Sequence, residues 1–485
     1  PELLEKMRTL AQSGQIDIVS FHYADQLFIG YPQADWERSQ ELTRAAFEHH
    51  DVPLSRTVFC QEGQAAPGMS LHMGARGYRN MVWPKNLWSF QHGDFTAAPL
   101  YNFGDVFMVV GGQGVSTPEV EVTWTFLDDG ELLATGDLDP YFVEYFVHNE
   151  EAVAEYEAGL VALEEQGYQI VTVDKYVDAV QTLVTPAEPP PLIDGTWQPG
   201  STVGVKRWLG GFGLWQAHER DNHVRTLGAI AHRELVAAET IAAAAPFDAR
   251  DKLDSAWRLL FLGQVTDASG INPYRGEIQY GIAHLAEATR IAREVIRDAK
   301  FTMGLASVLI DPVAQTAVEG ESDGIVPEPA SALLTLVIEA GDRSVSERWE
   351  RLGDGHHRVV IDIGAGQDTF ITVRFPGVLE EELHASLALA DATPAVIRRS
   401  DFVFEDYHLA LPTGLVGLGG GRFVVKDMAH VHLAAAIRRD SGDVVFEDET
   451  VPTGEAQRWM FHVIDDLGRA SDLAVRINAT RSLVR

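Results

Sequence analysis

The chain reads as an α/β domain, a helical domain and a β-rich domain in succession, an α/β plus β organisation. Three observations predict it. Helix and strand signals alternate over residues 1–183, as they do for a parallel sheet, open or closed. Three consecutive prolines in PAEPPPLIDG (186–195) make a stiff, extended boundary. From about Ser307 onward, short strands are separated by Gly, Asp and Pro turns, the pattern of a β-sandwich. At 485 residues the chain is long enough for two or three domains, each with its own core. The expected parse is 1–185 for an α/β barrel-like domain, 186–305 for a Trp-rich linker and helical domain, and 306–485 for the sandwich.

In order, helix 1–12 leads through Ser13-Gly14 to a strand QIDIVSF (15–21). Helix 36–50 leads to strand SRTVFC (55–60). Strands YRNMVWP (78–84), DVFMVVG (105–111) and VEVTWTFL (120–127) follow. An acidic amphipathic helix, 150–166, stops at Gly167 before strand YQIVTV (168–173), and a helix covers 175–183. After the linker, 219–245 is Ala-rich with Leu, Ile and Val at helical spacing, and 254–265 and 277–299 continue the helices. The carboxy-terminal runs ALLTLVIEA, HRVVIDI, DTFITVRF, LVGLGGGRFVV, HVHLAAAI and QRWMFHVI read as strands. The GLGGGR cluster lacks the Lys-Ser/Thr and helix of a phosphate loop.

The charge balance excludes some partners. The net charge is −33, and only seven of the 38 basic residues are Lys. Such a surface does not track nucleic acid or an anionic membrane, whereas a neutral sugar is compatible with it. No apolar run reaches 18 residues. Cys60 stands alone, which excludes an internal disulfide framework and a Cys-based zinc cluster. In an apolar strand it reads as a buried, inert thiol. The chain opens on Pro1 inside a helical run, so an upstream segment, with any targeting signal it carries, is expected. A cytoplasmic location is the expectation, and a homo-oligomer is compatible with it.

Two strand-end acids are the candidate chemistry. Glu62 follows RTVFC and precedes Gly63, Ala65, Ala66, Pro67 and Gly68, small residues that leave room for a ligand. Asp129 follows EVTWTFL in DDGE. That tetrapeptide also reads as a hairpin turn, the better reading on spacing alone. Two carboxylates delivered to a barrel rim are the minimum apparatus for breaking a glycosidic bond.

Four motifs resemble glycoside hydrolase family 57, within the wider superfamily of family 38 mannosidases and barrel deacetylases. SGQIDIV (13–19) is similar to that family's Gly-Gln-Val-Glu strand. FCQEGQAAPG (59–68) resembles its nucleophile motif, and TFLDDGELLATG (125–136) its acid/base motif. AWRLLFLGQVTDASG (256–270) resembles its helical Leu-Leu-x-x-Gln-Ser-Ser-Asp motif. The Trp-rich loop 193–215 is also similar. The resemblance spans about residues 10–270. It implies a (β/α)7-type barrel, part of it upstream of Pro1, with Glu62 as nucleophile and Asp129 as general acid/base of a retaining mechanism. Asp128 and Glu131 would raise the acid's pKa. Asp137 and Asp139 are rival acids. The chain departs from the family in reading Phe-Cys-Gln-Glu at the nucleophile, in having ATGDLDPYF after the acid, and in lacking the opening His-Gln-Pro.

His22, Glu131, Trp83, Trp208 and Asp267 are the further substrate-binding candidates. Trp208, beside Arg207 and Gly210-Gly211, is the preferred stacking platform. His22 and Asp25 end the strand QIDIVSF, where a sugar-site His and a core-edge His are equally good readings. Asp267 either binds a sugar hydroxyl or caps local backbone. Asn272 and Glu277 could join it around a calcium ion. The expected function is a retaining glycoside hydrolase or transglycosylase on an α-linked glucan or oligosaccharide, with no organic cofactor and no metal. The alternatives are a metal-dependent α-mannosidase or deacetylase, and a non-catalytic carbohydrate-binding or assembly protein.

Overall fold

The computed structural model describes residues 2–26, 31–59, 69–84, 98–112, 114–123, 150–189, 221–265, 275–320, 326–386, 394–401, 406–410, 414–427, 434–447, 454–478 and 482–484. They form two compact units. One comprises Pro1–Ser20, Arg44–Phe59 and Met73–Pro190, the other Phe21–Thr43, Cys60–His72 and Pro191–Arg485.

The chain begins with α1 (Glu2–Gln12), α2 (Gln33–His49), β1 (Thr57–Val58), α3 (Met69–Ala75) and β2 (Asn80–Pro84). It continues with β3 (Tyr101–Phe103), β4 (Val106–Gly111), the hairpin β5 (Val115–Ser116) and β6 (Glu121–Val122), α4 (Glu150–Glu165) and α5 (Val173–Val180). Gly14 stops α1. At φ 66° it is in the left-handed region, and the N–H groups of Gly14 and Gln15 bond the carbonyls of Ala11 and Leu10 at 3.0 Å each. This pair of bonds closes the last helical turn, and an L side chain at Gly14 would strain it.

The first unit holds a four-stranded sheet in the order β1-β2-β4-β3, with β1, β2 and β4 parallel and β3 antiparallel. The register sorts side chains by face. Val58, Met81, Met108, Trp83 and Val110 share one face. Thr57, Asn80, Phe107, Val82 and Val109 share the other, where Val177 and Val180 of α5 pack with Val109. At the sheet's amino-terminal edge, Asp174 in the first turn of α5 accepts from Thr57 Oγ1 (2.9 Å) and Asn80 Nδ2 (2.6 Å). It also accepts from Ser55 Oγ and the Arg56 N–H, both at 3.2 Å. One carboxylate thus ties β1, β2 and α5 together. Asp174→Ala leaves several buried donors unpaired and is expected to cost about 2–4 kcal/mol, measured by urea unfolding, while Asp174→Asn costs less.

Two expected strands are corrected. Residues 15–21 and 168–173 form no strand. The first is joined to its neighbour by a bond from Ser55 N–H to Ile18 O (2.9 Å), too little for a ladder. The second turns into α5, with Thr172 as its N-cap. The run expected as strand 120–127 contributes only Glu121–Val122 among the described residues, paired with Val115–Ser116.

In the second unit, α6 (Asp221–Ala244), α7 (Arg250–Gly263) and α8 (Arg275–Thr302) bury apolar stripes on one another: Leu235, Ala238 and Ile241 from α6, Trp257, Leu260 and Phe261 from α7, Leu285, Ala288 and Ala292 from α8. The hairpin β7 (Val308–Asp311) and β8 (Thr316–Glu319) closes this core through Val308, Ile310 and Ala317.

The remaining strands are β9 (Glu328–Ala330), β10 (Val337–Glu339), β11 (Val345–Gly353), β12 (His356–Ile363), β13 (Thr372–Phe375), β14 (Glu382–Ala385), β15 (Ala395–Arg398), β16 (Asp406–Ala410), β17 (Leu415–Gly419), β18 (Arg422–Lys426), β19 (Ala434–Arg438), β20 (Val444–Glu447), β21 (Gln457–Ile464) and β22 (Ser482–Val484), with α9 (Leu467–Asn478) before the last. An eight-stranded sheet, β15-β14-β17-β18-β21-β12-β11-β9, and a five-stranded one, β10-β13-β20-β19-β16, share one core. Alternation in QRWMFHVI sends Trp459, Phe461 and Val463 into it. On the other face α9 sets Ala470, Ala474 and Ile477 against Leu415, Phe423, Val425 and Ile464. The sequence reading contained no helix here.

Candidate active site

Glu62, Asp129, Glu131, Trp208 and Asp267 lie outside the described residues, as do Asp128, Asp137, Asp139 and Asn272. What the structure describes is the scaffold from which their segments depart.

In the first unit, a cavity of about 480 Å³ lies against the face of the sheet that carries Thr57, Val82 and Val109. Phe59, Val82, Val109, Thr123, Tyr168 and Tyr176 are among its lining residues. Phe59 is three residues before Glu62, and Thr123 six before Asp129. The volume is in the range of small-molecule sites. Trp83 is fully buried, edge-on to Phe103 with ring centroids 6.0 Å apart. It therefore belongs to the packed core and offers no open face to a sugar.

In the second unit, the residues around His22 are held by the inner face of α2. Asp35, Trp36, Ser39, Gln40 and Thr43 are all buried, an unusually polar stripe at helical spacing. Trp36 Nε1 donates to the Phe21 carbonyl at 2.9 Å, and Gln40 Nε2 donates to the same oxygen. The Tyr23 N–H donates to Ser39 Oγ at 2.7 Å. The backbone is thus fixed on both sides of His22.

From Ser39 a chain of hydrogen bonds runs inward. Ser39 Oγ donates to Gln26 Oε1, Gln26 Nε2 to Gln264 Oε1 (2.8 Å), and Gln264 Nε2 to Asp35 Oδ2 (2.6 Å). His232 on α6 completes it with a short contact to Asp35 Oδ1. A carboxylate only accepts, which places the proton on His232 Nδ1. Asp35 and Gln264 are 0% exposed, Gln26 1% and His232 2%. Burial of this much polar surface is tolerable because each group named is hydrogen-bonded. The backbone bridge Gln26↔Val265 joins the same two stretches.

Sequence reasoning missed Asp35, His232 and Gln264. Polar residues at helical spacing read as a solvated face, and their partners lie about 200 positions away. Gln264 was visible only inside the LLFLGQ motif.

His22 is partly covered, with its Nε2 enclosed. Desolvation pushes its pKa down from 6.5 to about 4, against two backbone hydrogen bonds that raise it. The imidazole is neutral at ordinary pH. The unfolded chain takes up this proton below pH 6.5 and the folded chain only near 4. Stability therefore falls as the pH drops through that window, by on the order of 3 kcal/mol in full. His356 in the sandwich, also lowered to about 4 chiefly by burial, acts in the same sense. Thermal melts from pH 7 to 4.5 should show the decline, with a shallower slope in His22→Gln. An unchanged slope in that variant would contradict the assignment to His22.

Among the described residues no three His, Cys, Asp or Glu side chains are grouped to hold a metal ion, and no helix is long and apolar enough to cross a membrane.

No family model matches the chain, and no curated protein matches it in sequence. Solved structures do match. An α-mannosidase from Enterococcus faecalis V583 aligns with a TM-score of 0.61 at 8% identity, over 100% of this chain and 82% of that one. A protein in glycosyl hydrolase family 38 from Enterococcus faecalis aligns at 0.56 and 8% identity, again over 100% and 82%. A GH57 branching enzyme from the hyperthermophilic archaeon Thermococcus kodakaraensis aligns at 0.42 and 13% identity, over 62% of this chain and 70% of that one. The fold is thus similar to that of these two Enterococcus faecalis structures.

Proposed function

We propose that this protein is a retaining glycoside hydrolase or transglycosylase acting on α-linked saccharides, with Glu62 as nucleophile and Asp129 as general acid/base. The observation that carries the reading is the fold likeness, over the full length of this chain, to an α-mannosidase, joined to the four ordered motifs of the sequence. The parallel sheet is read as part of a (β/α)7-type barrel, followed by the helical and sandwich domains. Glu62 attacks the anomeric carbon while Asp129 protonates the departing oxygen. A glycosyl-enzyme forms, and Asp129, now a base, activates the water or sugar hydroxyl that releases it. His22, Glu131, Trp208 and Asp267 bind the sugar.

The substrate is an α-glucan or an α-mannoside. A second reading, a metal-dependent α-mannosidase, is favoured by the family 38 likeness. One set of assays separates them. The chain is offered 4-nitrophenyl α-glucoside and α-mannoside and α-linked oligosaccharides, with and without a chelator, and product stereochemistry is followed by NMR. Retention of the α configuration, indifferent to chelator, is expected. Activity on mannosides alone, lost to chelator and regained with zinc, selects the second reading. If no glycoside is turned over, both fall, and a non-catalytic carbohydrate-binding or assembly role takes their place.

A further inference from the structure

We infer that Asp35 is a positioning residue: it is the sink of a directed hydrogen-bond chain that sets the loop bearing His22. The inference rests on the glycosidase reading only for its kinetic arm.

The direction of the chain is the argument. Tyr23 N–H gives to Ser39, Ser39 to Gln26, Gln26 to Gln264, and Gln264 to Asp35. Every link donates toward the carboxylate. A Gln side chain can face either way, because its oxygen and nitrogen ends are nearly the same size. A buried carboxylate removes that choice, since it cannot donate. It fixes the orientation of Gln264, which fixes Gln26, which leaves Gln26 Oε1 as acceptor for Ser39 and the Ser39 oxygen as acceptor for the backbone beside His22. His232 holds the second carboxylate oxygen from α6, so the sink is itself anchored. Each bond in such a series polarises the next. Asparagine at position 35 has the same shape, yet it can donate. The chain then has two nearly equal directions, and in one of them the Gln26 amide donates to Ser39 Oγ and the Ser39 hydroxyl proton loses its acceptor.

Asp35→Asn is therefore expected to loosen the 21–26 loop although it removes no volume. In the full-length protein, hydrogen exchange of peptides covering 21–26 and 258–265 should rise together, by about tenfold or more, the loss of one net hydrogen bond in each. For a wild type that turns over a glycoside, kcat should fall by on the order of 100-fold with KM little changed, because the misplaced group acts on the reacting geometry. His232→Asn keeps a donor where Nδ1 sits and should stay near wild type, whereas His232→Ala should follow Asp35→Asn. If Asp35→Asn does not fold, Gln264→Leu breaks the same chain one link from the carboxylate and is read in the same way. A lower melting temperature with exchange at 21–26 and kcat unchanged overturns the inference, since that is what local packing alone would give. If the wild type hydrolyses nothing, the glycosidase reading fails and exchange decides alone: a joint rise in the two peptides supports the positioning role, and no rise overturns it.

Discussion

Glu62→Gln is expected to cut turnover of α-glycosides by roughly a thousandfold or more, the scale seen when a covalent nucleophile is removed. The amide is isosteric, so binding should survive and the loss should fall on kcat. Asp129→Asn should behave differently. As the proposed general acid, Asp129 would protonate the leaving oxygen, which matters for a sugar or alkyl leaving group and hardly at all for 4-nitrophenolate, which departs unaided. Asp129→Asn should therefore spare the aryl substrate in the first step and damage the oligosaccharide. For Glu62→Ala, added azide should restore part of the turnover and yield a glycosyl azide of inverted configuration, because the small anion takes the carboxylate's place. If Glu62→Gln turns over at the wild-type rate, the nucleophile is another residue. Equal damage of both substrates by Asp129→Asn would pass the acid role to Asp137 or Asp139.

Phe461→Ala is expected to cost about 4 kcal/mol. Phe461 is 1% exposed on β21, at the centre of the sandwich core. Its ring centroid lies 4.8 Å from that of Phe446 and 5.1 Å from that of Phe375, with Trp459 at 6.3 Å. Truncation removes the transfer energy of the ring, leaves a cavity that three other aromatic rings are too rigid to fill, and forfeits two close edge and tilted contacts. Phe461→Leu should lose less than half as much, because the core keeps most of its volume. The two variants differ in a chemical-denaturant melt at any pH where His22 and His356 are neutral. Equal losses for Leu and Ala would mean that the core collapses around the deletion.

Local pattern made much of this fold legible. The helices α6, α7 and α8 lie within a few residues of their expected limits, because apolar residues recur every three or four positions and each helix is long. Strand β21 matches QRWMFHVI end to end, because alternation over eight residues has no helical counterpart. The misses are non-local. Residues 15–21 and 168–173 have strand-like composition, yet a strand needs a ladder, and composition says nothing of the neighbour. The polar inner face of α2 finds its partners in His232 and Gln264, far off in sequence, where no local pattern points to them. The acids at 62 and 129 could be singled out only through the motif resemblance, since 71 acidic residues offer many pairs.

The place of β21 in the larger sheet bears on how the chain comes off the ribosome. It pairs with β12 on one side and β18 on the other, so it is the strand through which β9, β11 and β12 join β14, β15, β17 and β18. Both groups are synthesised before it and must wait for it, each with an open edge. Until residue 464 has emerged, those edges are unpaired templates for association with other nascent chains. A chain cut short before residue 457 should therefore be recovered as aggregate, whatever its first 450 residues could do in isolation.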